Sequence, residues 1–350
     1  MSGQPPEIDW DAVAGRPAPR LEMQRLTERF AGRRVLVTGA AGSLGEPLAH
    51  VLATLPLAEL TLVDVHEPSL FGLRQALGER AADQPSGAAR VRYVLADIRR
   101  AARVDSLLAD LRPQVIFHLA ACKHVPWAED DPVEFVATNV LGTCHLVRAA
   151  VRQQVERIVY PSTDKAITPP SLYGVTKRIA EGMLRAAASA GRPSVTICRF
   201  VNVLGSRGAA SETFVRLIGE GRPLPITDAR MRRYWISPRH ALALLLHAAL
   251  LAGPSLMVVP DVTDELTPVD IATRLWQQLR PGEAGPPFVD AGARPGERLS
   301  EPLLQTEEQL APPEVPGLRQ VSTPPAAGKI VPFAVWERQS VQLARQPSTP

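Results

Sequence analysis

The chain has 350 residues, enough for one large α/β domain with a smaller lobe, and a net charge of +3 at pH 7. A pI near 8.9 without a long basic run offers nucleic acid no patch to bind. Three cysteines (Cys122, Cys144, Cys198), odd in number and set in apolar sequence, suit a reducing cytoplasm and neither a disulfide framework nor a metal site.

The first thirty residues are polar and proline-bearing, with an amphipathic stretch at Leu21–Phe30, and read as an N-terminal extension. No secretory leader is visible. From Arg33 the pattern becomes regular. VLVTGA (35–40) predicts a buried strand, EPLAHVLATL (46–55) a helix, LTLVDV (60–65) a strand and SLFGLRQALGERAA (69–82) a helix. VRYVLADI (91–98) reads as strand, RVDSLLADL (103–111) as helix and VIFHLAA (115–121) as strand. One long helix is expected over VEFVATNVLGTCHLVRAAVRQ (133–153), a strand at RIVYPSTD (157–164), a helix from Tyr173 and a strand at VTICRFVNVLG (195–205). Such alternation means β-α-β units, a Rossmann-type α/β fold with a doubly wound parallel sheet, over 31–202. A smaller substrate-binding lobe, interleaved with that core, is placed at 203–310, and a Pro-rich tail at 311–350. The longest apolar run, ALALLLHAALLAG (241–253), is too short to span a bilayer and contains His247, so it reads as a buried helix and no membrane association is expected.

Gly39-Ala40-Ala41-Gly42-Ser43-Leu44-Gly45 follows the first strand and opens a helix. Glycines there permit a tight turn and bring backbone N–H groups against a pyrophosphate at the helix N-terminus. Asp64 closes the next strand 19 residues after Gly45, where it can accept from an adenosine ribose; this favours NAD, with NADP as the alternative cofactor. Asp97 and Ile98 end the third strand, where such folds hold adenine. Tyr173 and Lys177 lie one helical turn apart, so a neighbouring ammonium is expected to lower the phenol's pKa. The chain has four lysines against 35 arginines, and Lys123, Lys165 and Lys177 fall close together. An ammonium is compact and can lose its proton, whereas guanidinium cannot, so these positions point to proton chemistry or tight packing on a cofactor.

Together these motifs resemble the extended short-chain dehydrogenase/reductase superfamily. Within it, Ser162-Thr163-Asp164-Lys165-Ala166 is similar to the UDP-N-acetylglucosamine 4,6-dehydratases of polysaccharide biosynthesis, the CapD-like family. The likeness also takes in AACKHVP (120–126), ATNVLGT (137–143), NVLGSRG (202–208), PLPITDARMRRYW (223–235) and ARPGERLSE (293–301). The resemblance implies cofactor contacts from the glycine turn, Asp64, Asp97, Ile98, Ala120, Ala121, Lys123, Asn139, Tyr173 and Lys177. It implies substrate contacts from His124, Asn202, Arg207, Arg294 and Glu297, the last two toward uridine and diphosphate. The catalytic set it implies is Thr163, Asp164, Lys165, Tyr173 and Lys177, with a desolvated Lys165 as base and the Asp164 carboxyl as acid. The reaction would oxidise C4 of a UDP-linked hexosamine, eliminate water across C5–C6 and return the hydride to C6, with inversion at C5 if Lys165 reprotonates the opposite face. A homo-oligomer is expected. Pro161, Ser171, Val201, Arg232 and Ser300 depart from the family's usual residues. The alternative on this scaffold is an NAD(P)H-dependent keto-sugar reductase or epimerase of a secondary-metabolite pathway, using Tyr173 and Lys177 without elimination.

Overall fold

A computed structural model describes residues 7–81, 89–191, 193–292, 296–312 and 314–322. Two helices, α1 (Trp10–Ala14) and α2 (Met23–Phe30), precede β1 (Arg34–Thr38). There follow α3 (Gly45–Ala53), β2 (Glu59–Asp64), α4 (Glu67–Ala81), β3 (Arg90–Leu95), α5 (Ala101–Leu111) and β4 (Val115–His118). Next come α6 (Val125–Asp130), α7 (Pro132–Phe135), α8 (Thr143–Arg152), β5 (Arg157–Thr163), α9 (Leu172–Ser189) and β6 (Ser194–Phe200). The rest comprises β7 (Asn202–Val203), α10 (Ala210–Gly219), β8 (Leu224–Ile226), β9 (Arg233–Ile236), α11 (Pro238–Leu250) and β10 (Ser255–Pro260), then β11 (Glu265–Leu266), α12 (Pro268–Leu279), β12 (Phe288–Asp290), β13 (Gln309–Ala311) and β14 (Leu318–Ser322).

Among the described residues the main sheet runs β13-β14-β10-β6-β5-β4-β1-β2-β3. From β3 to β10 every pairing is parallel, and β14 and β13 close the far edge antiparallel. Strands buried on both faces explain the unbroken apolar runs in β1, β4 and β5. One face packs on α2, α3, α4 and α11, the other on α5, α8 and α9. The strand order reverses between β1 and β4, which opens a crevice at their carboxyl ends; ligands of such folds sit there.

The apolar run at 241–253 is α11, started by Pro238 after Ser237, whose side chain accepts from His240 N–H. Amphipathic α2 buries Leu26 and Phe30 in the main core, so the N-terminal extension is built into the fold. The long helix expected at 133–153 is interrupted by a π-helical turn, Val136–Gly142. The strand expected at 195–205 splits at Val201: β6 ends in the main sheet at Phe200, and Asn202 pairs instead with Trp235 of β9. The smaller lobe buries Val13 of α1 with Phe214 of α10, Leu224 of β8 and Leu275 of α12. Its sequence span nevertheless contributes β10 to the main sheet. The tail expected from residue 311 needs correcting, because β14 lies within it and pairs with β10 through Met257–Val321 to Pro260–Leu318. Val315, Leu318 and Val321 are buried there, and that apolar burial holds the segment down.

Candidate active site

The glycine turn leaves β1 with Gly39 at φ 67°, a left-handed conformation that favours glycine. A Cβ at Gly39 would also lie 2.7 Å from Ala120 N. Ala41 N–H donates to Asp64 Oδ2 at 2.9 Å and His66 N–H to Oδ1 at 2.9 Å, so the carboxylate is fixed beside the turn. Each oxygen keeps a lone pair for another donor. Gly42, Ser43 and Leu44 carry the turn into Gly45, the first residue of α3. This strand–turn–helix cradle with its fixed carboxylate fits a dinucleotide. Asp97 is tied to Arg99, which also pairs with Glu134. Burial raises the Asp97 pKa, but the Arg99 contacts outweigh it and the net shift is downward. Ile98 is buried against Gly142 of the π-turn, where an added Cβ would meet Ile98 Cδ1 at 2.7 Å.

Around the end of β4, Asn139 is buried with its amide spent on bracing. Cys122 N–H donates to Oδ1 at 2.8 Å, and Nδ2 donates to Cys122 O at 2.9 Å and Thr176 Oγ1 at 3.0 Å. It therefore fixes the Ala120–Lys123 loop to α9. Beneath the loop His118 is fully buried between Thr38 Oγ1 at 2.8 Å from Nδ1 and Thr143 Oγ1 at 3.0 Å from Nε2. Thr143 donates its own proton to Asn139 O at 2.7 Å, so Nε2 is the donor and Nδ1 the acceptor. Burial, reinforced by Lys177, drives the His118 pKa down to about 3.

The tip of β5 turns into a short 3₁₀ segment, Asp164–Ala166. Thr163 Oγ1 donates to Asp164 Oδ1 at 2.9 Å, and Lys165 N–H donates to the same oxygen at 2.8 Å. Asp164 Oδ2 is buried without a hydrogen-bond partner among the described residues. Lys165 Nζ donates to Glu301 Oε2 at 2.7 Å, Asp164 Oδ1 at 3.2 Å and Asn202 Oδ1 at 3.4 Å. Burial raises the Asp164 pKa, with Lys165 opposing it and Glu301 adding to it. Tyr173 opens α9 beside this cluster, where Ser171 caps the helix by accepting from Gly174 N–H. A Cβ on Gly174 would lie 2.2 Å from Lys165 O, so glycine lets the helix end meet the lysine's backbone. The structure thus brings Thr163, Asp164, Lys165, Tyr173 and Asn202 together.

Two protonation states differ from the sequence expectation. Burial would strip Lys165 of its proton, but Asp164 and Glu301 outweigh burial and raise its pKa, so it is an ammonium here. Lys177 donates to Pro161 O at 2.6 Å, with its ammonium 4.0 Å over the Tyr160 ring. Burial brings Lys177 down to about 7. Tyr173 is pushed up to about 12 by burial, with Lys165, not Lys177, as the cation opposing this.

The residues expected at substrate divide. Arg207 reaches back to the glycine turn: Nη1 donates to Ala41 O at 2.9 Å, its N–H to Ser43 Oγ at 3.0 Å, and Nη2 pairs with Glu46 at 3.0 Å. His124 packs under Gly208, and burial, then Lys123, lowers its pKa. Lys123 is lowered by burial against the pull of Glu212. Glu297 is half-buried, in a segment set against Ser171 at Gly296; Arg294 lies outside the described residues. Glu301 was missed as a site residue. It stands 136 positions from Lys165, and its signal was an acidic residue in the quoted segment ARPGERLSE.

The polysaccharide biosynthesis protein family matches residues 35–322, and the chain belongs to it. It is 31% identical over 305 residues to the capsular polysaccharide biosynthesis protein CapD of Staphylococcus aureus, covering 86% of this chain and 50% of that protein. It is 30% identical over 285 residues to a UDP-N-acetylglucosamine 4,6-dehydratase (inverting) of Campylobacter jejuni, covering 80% of this chain and 79% of that one. The chain spans about half the length of the first curated relatives it matches. Among solved structures, the dTDP-glucose 4,6-dehydratase DesIV from Streptomyces venezuelae, a double mutant with NAD bound, superposes with a TM-score of 0.63 at 27% identity, over 78% of this chain and 88% of that one. The relatives include sugar-nucleotide dehydratases and epimerases of the extended short-chain dehydrogenase/reductase type. No helix among the described residues is long and apolar enough to cross a membrane.

Proposed function

We propose that the chain is an NAD-dependent nucleotide-sugar 4,6-dehydratase acting on a UDP-linked N-acetylhexosamine. One observation carries this reading. A buried carboxyl with a raised pKa, Asp164, stands beside an ammonium, Lys165, next to Tyr173. Hydride transfer alone needs only the tyrosine and a lysine; removing water across C5–C6 needs an acid and a base in addition.

When bound, NAD supplies the hydride acceptor that makes the C4 alcohol a ketone, acidifying H5, and returns the hydride to C6. Tyr173 receives the O4 proton on its phenolic oxygen, with the Lys165 charge favouring phenolate beforehand. Lys165, having released a proton to solvent, removes H5 at Nζ, and Asp164 gives its proton to the departing O6, which leaves as water. Lys165 then returns a proton to C5, and its face of approach decides inversion. The proton gained by Tyr173 and the one lost by Asp164 balance through solvent. Asp64 is the residue a 2′-phosphate would meet, which favours NAD over NADP. Arg294 and Glu297 are assigned to the diphosphate and uridine end, arginine as a bidentate fork. The reading also carries a homo-oligomer as its expected assembly.

Two variants separate the steps. Asp164→Asn keeps the shape but has no proton to give, so water release should fall about 10²–10⁴-fold while H5 still exchanges with deuterated solvent. Lys165→Arg should abolish both, because guanidinium stays protonated. H5 exchange at the wild-type rate in Lys165→Arg would mean that another group is the base.

A further inference from the structure

Glu301 has no part in the steps above, yet it makes the shortest contact to Lys165, 2.7 Å from Oε2 to Nζ. It is buried, and its other oxygen, Oε1, lies 3.6 Å from Arg233 Nε. Arg233 is pinned in turn, donating to Leu299 O at 3.0 Å, Arg298 O at 2.5 Å and Arg232 O at 2.7 Å. Seven residues on, Glu308 pairs with buried Arg199 at 2.6 Å. The segment 298–308 is therefore fixed at both ends, and Glu301 is aimed at the lysine by its frame. Among the described residues, the charged or titratable groups facing Lys165 are Asp164 on its own segment, Tyr173 on α9, and Glu301 with Arg233 behind it, joined by the amide of Asn202 on β7.

We propose that Glu301 is a positioning residue that holds Lys165 as an ammonium between two carboxylates, so that the lysine serves as the C5 base only after Glu301 is drawn off it. This deepens the dehydratase reading and rests on Lys165 being its base. The ion pair keeps the base charged and located while the site is open, and loosening it when substrate occupies the site releases a neutral amine. The physical reason is Coulombic: a second anion at hydrogen-bond distance favours the charged form, and removing it leaves desolvation less opposed.

With only four lysines in the chain, Lys165 can be followed directly by NMR of protein carrying ¹³C at lysine Cε, its signal assigned by loss in Lys165→Arg. In the wild type this signal should remain that of an ammonium through about pH 10. In Glu301→Gln its midpoint should fall by roughly one unit or more, and Glu301→Asp should restore most of the wild-type behaviour. The acid limb of the kcat/KM profile for H5 exchange, which reports the free enzyme, should move to lower pH in Glu301→Gln by the same amount, a change that a purely structural role would not produce. An unchanged Lys165 titration in a folded Glu301→Gln protein overturns the proposal. If the amide variant does not fold, Glu301→Ala takes its place: a Lys165 midpoint well below the wild type supports the proposal, and an unchanged midpoint overturns it. A lowered midpoint in proteins that remove no water from UDP-N-acetylglucosamine would leave the role of Glu301 standing and sink the dehydratase reading instead.

Discussion

Lys165 and Lys177 show how neighbours decide what burial does to a lysine. Both are removed from water, but Lys165 faces Asp164 and Glu301 and stays charged, whereas Lys177 faces a carbonyl and a ring, with Glu181 attracting it too little to offset burial, and drops to about 7. Composition marked both as lysines that arginine had not replaced; Asp164 adjoins Lys165 in sequence, but Glu301 reaches it from 136 positions away. His118 is the simpler case. Its folded-state pKa lies near 3, below the ordinary 6.5. A depressed folded value contributes stability that is present above pH 6.5 and is lost as pH falls from there toward 3. At pH 5 the loss amounts to about 2 kcal/mol. His118→Gln, which keeps a donor and an acceptor between the two threonines, should therefore lose less stability than the wild type between pH 7 and 5 in denaturant titrations. Equal losses in the two proteins would show that His118 does not set this dependence.

At the scale of elements, the alternation of short apolar strands with amphipathic helices was legible from Arg33 to Phe200, since period and turn residues are local properties. What escaped it is tertiary. The π-turn at Val136–Gly142 brings Gly142 beneath Ile98, and the break at Val201 moves Asn202 from the main sheet to β9. The Thr163–Asp164–Lys165 tip and Tyr173 could be read as one cluster because they are close in sequence. Glu301 could not, for its partner lies 136 positions away. Glu308 belongs to the same segment and completes a buried ion group with Arg199 and Glu181. Arg199 donates to Glu181 through Nε at 3.0 Å and Nη2 at 2.9 Å, and Ser162 Oγ donates to Glu181 at 2.7 Å, which ties β5, β6 and α9 to the 298–308 segment. Arg199→Met would take the buried cation from Glu308 and leave Glu181 with only the exposed Arg178, 3.6 Å away, among the described residues. Breaking such a group costs about 3–5 kcal/mol, so the urea midpoint should fall steeply. A loss below about 1 kcal/mol would mean that the carboxylates find water or protonate at little cost.

At the scale of the whole molecule, the sheet order opens a crevice between β1 and β4, while the tip of β5 and the 298–301 segment bring Asp164, Lys165 and Glu301 together. The N-terminal helices and β14 belong to this body, so the fold extends past both ends that composition assigned to appendages. The proposed chemistry is elimination and not net redox. The direct measurement is to incubate the purified protein with UDP-N-acetylglucosamine in deuterated water, without added cofactor, and follow the sugar nucleotide by mass spectrometry and NMR. Elimination should give loss of one water per sugar, deuterium at C5 and many turnovers on the NAD carried by the protein. An unchanged substrate, or conversion of a keto-sugar only with stoichiometric consumption of added NAD(P)H, would contradict it and assign the scaffold to a reductase.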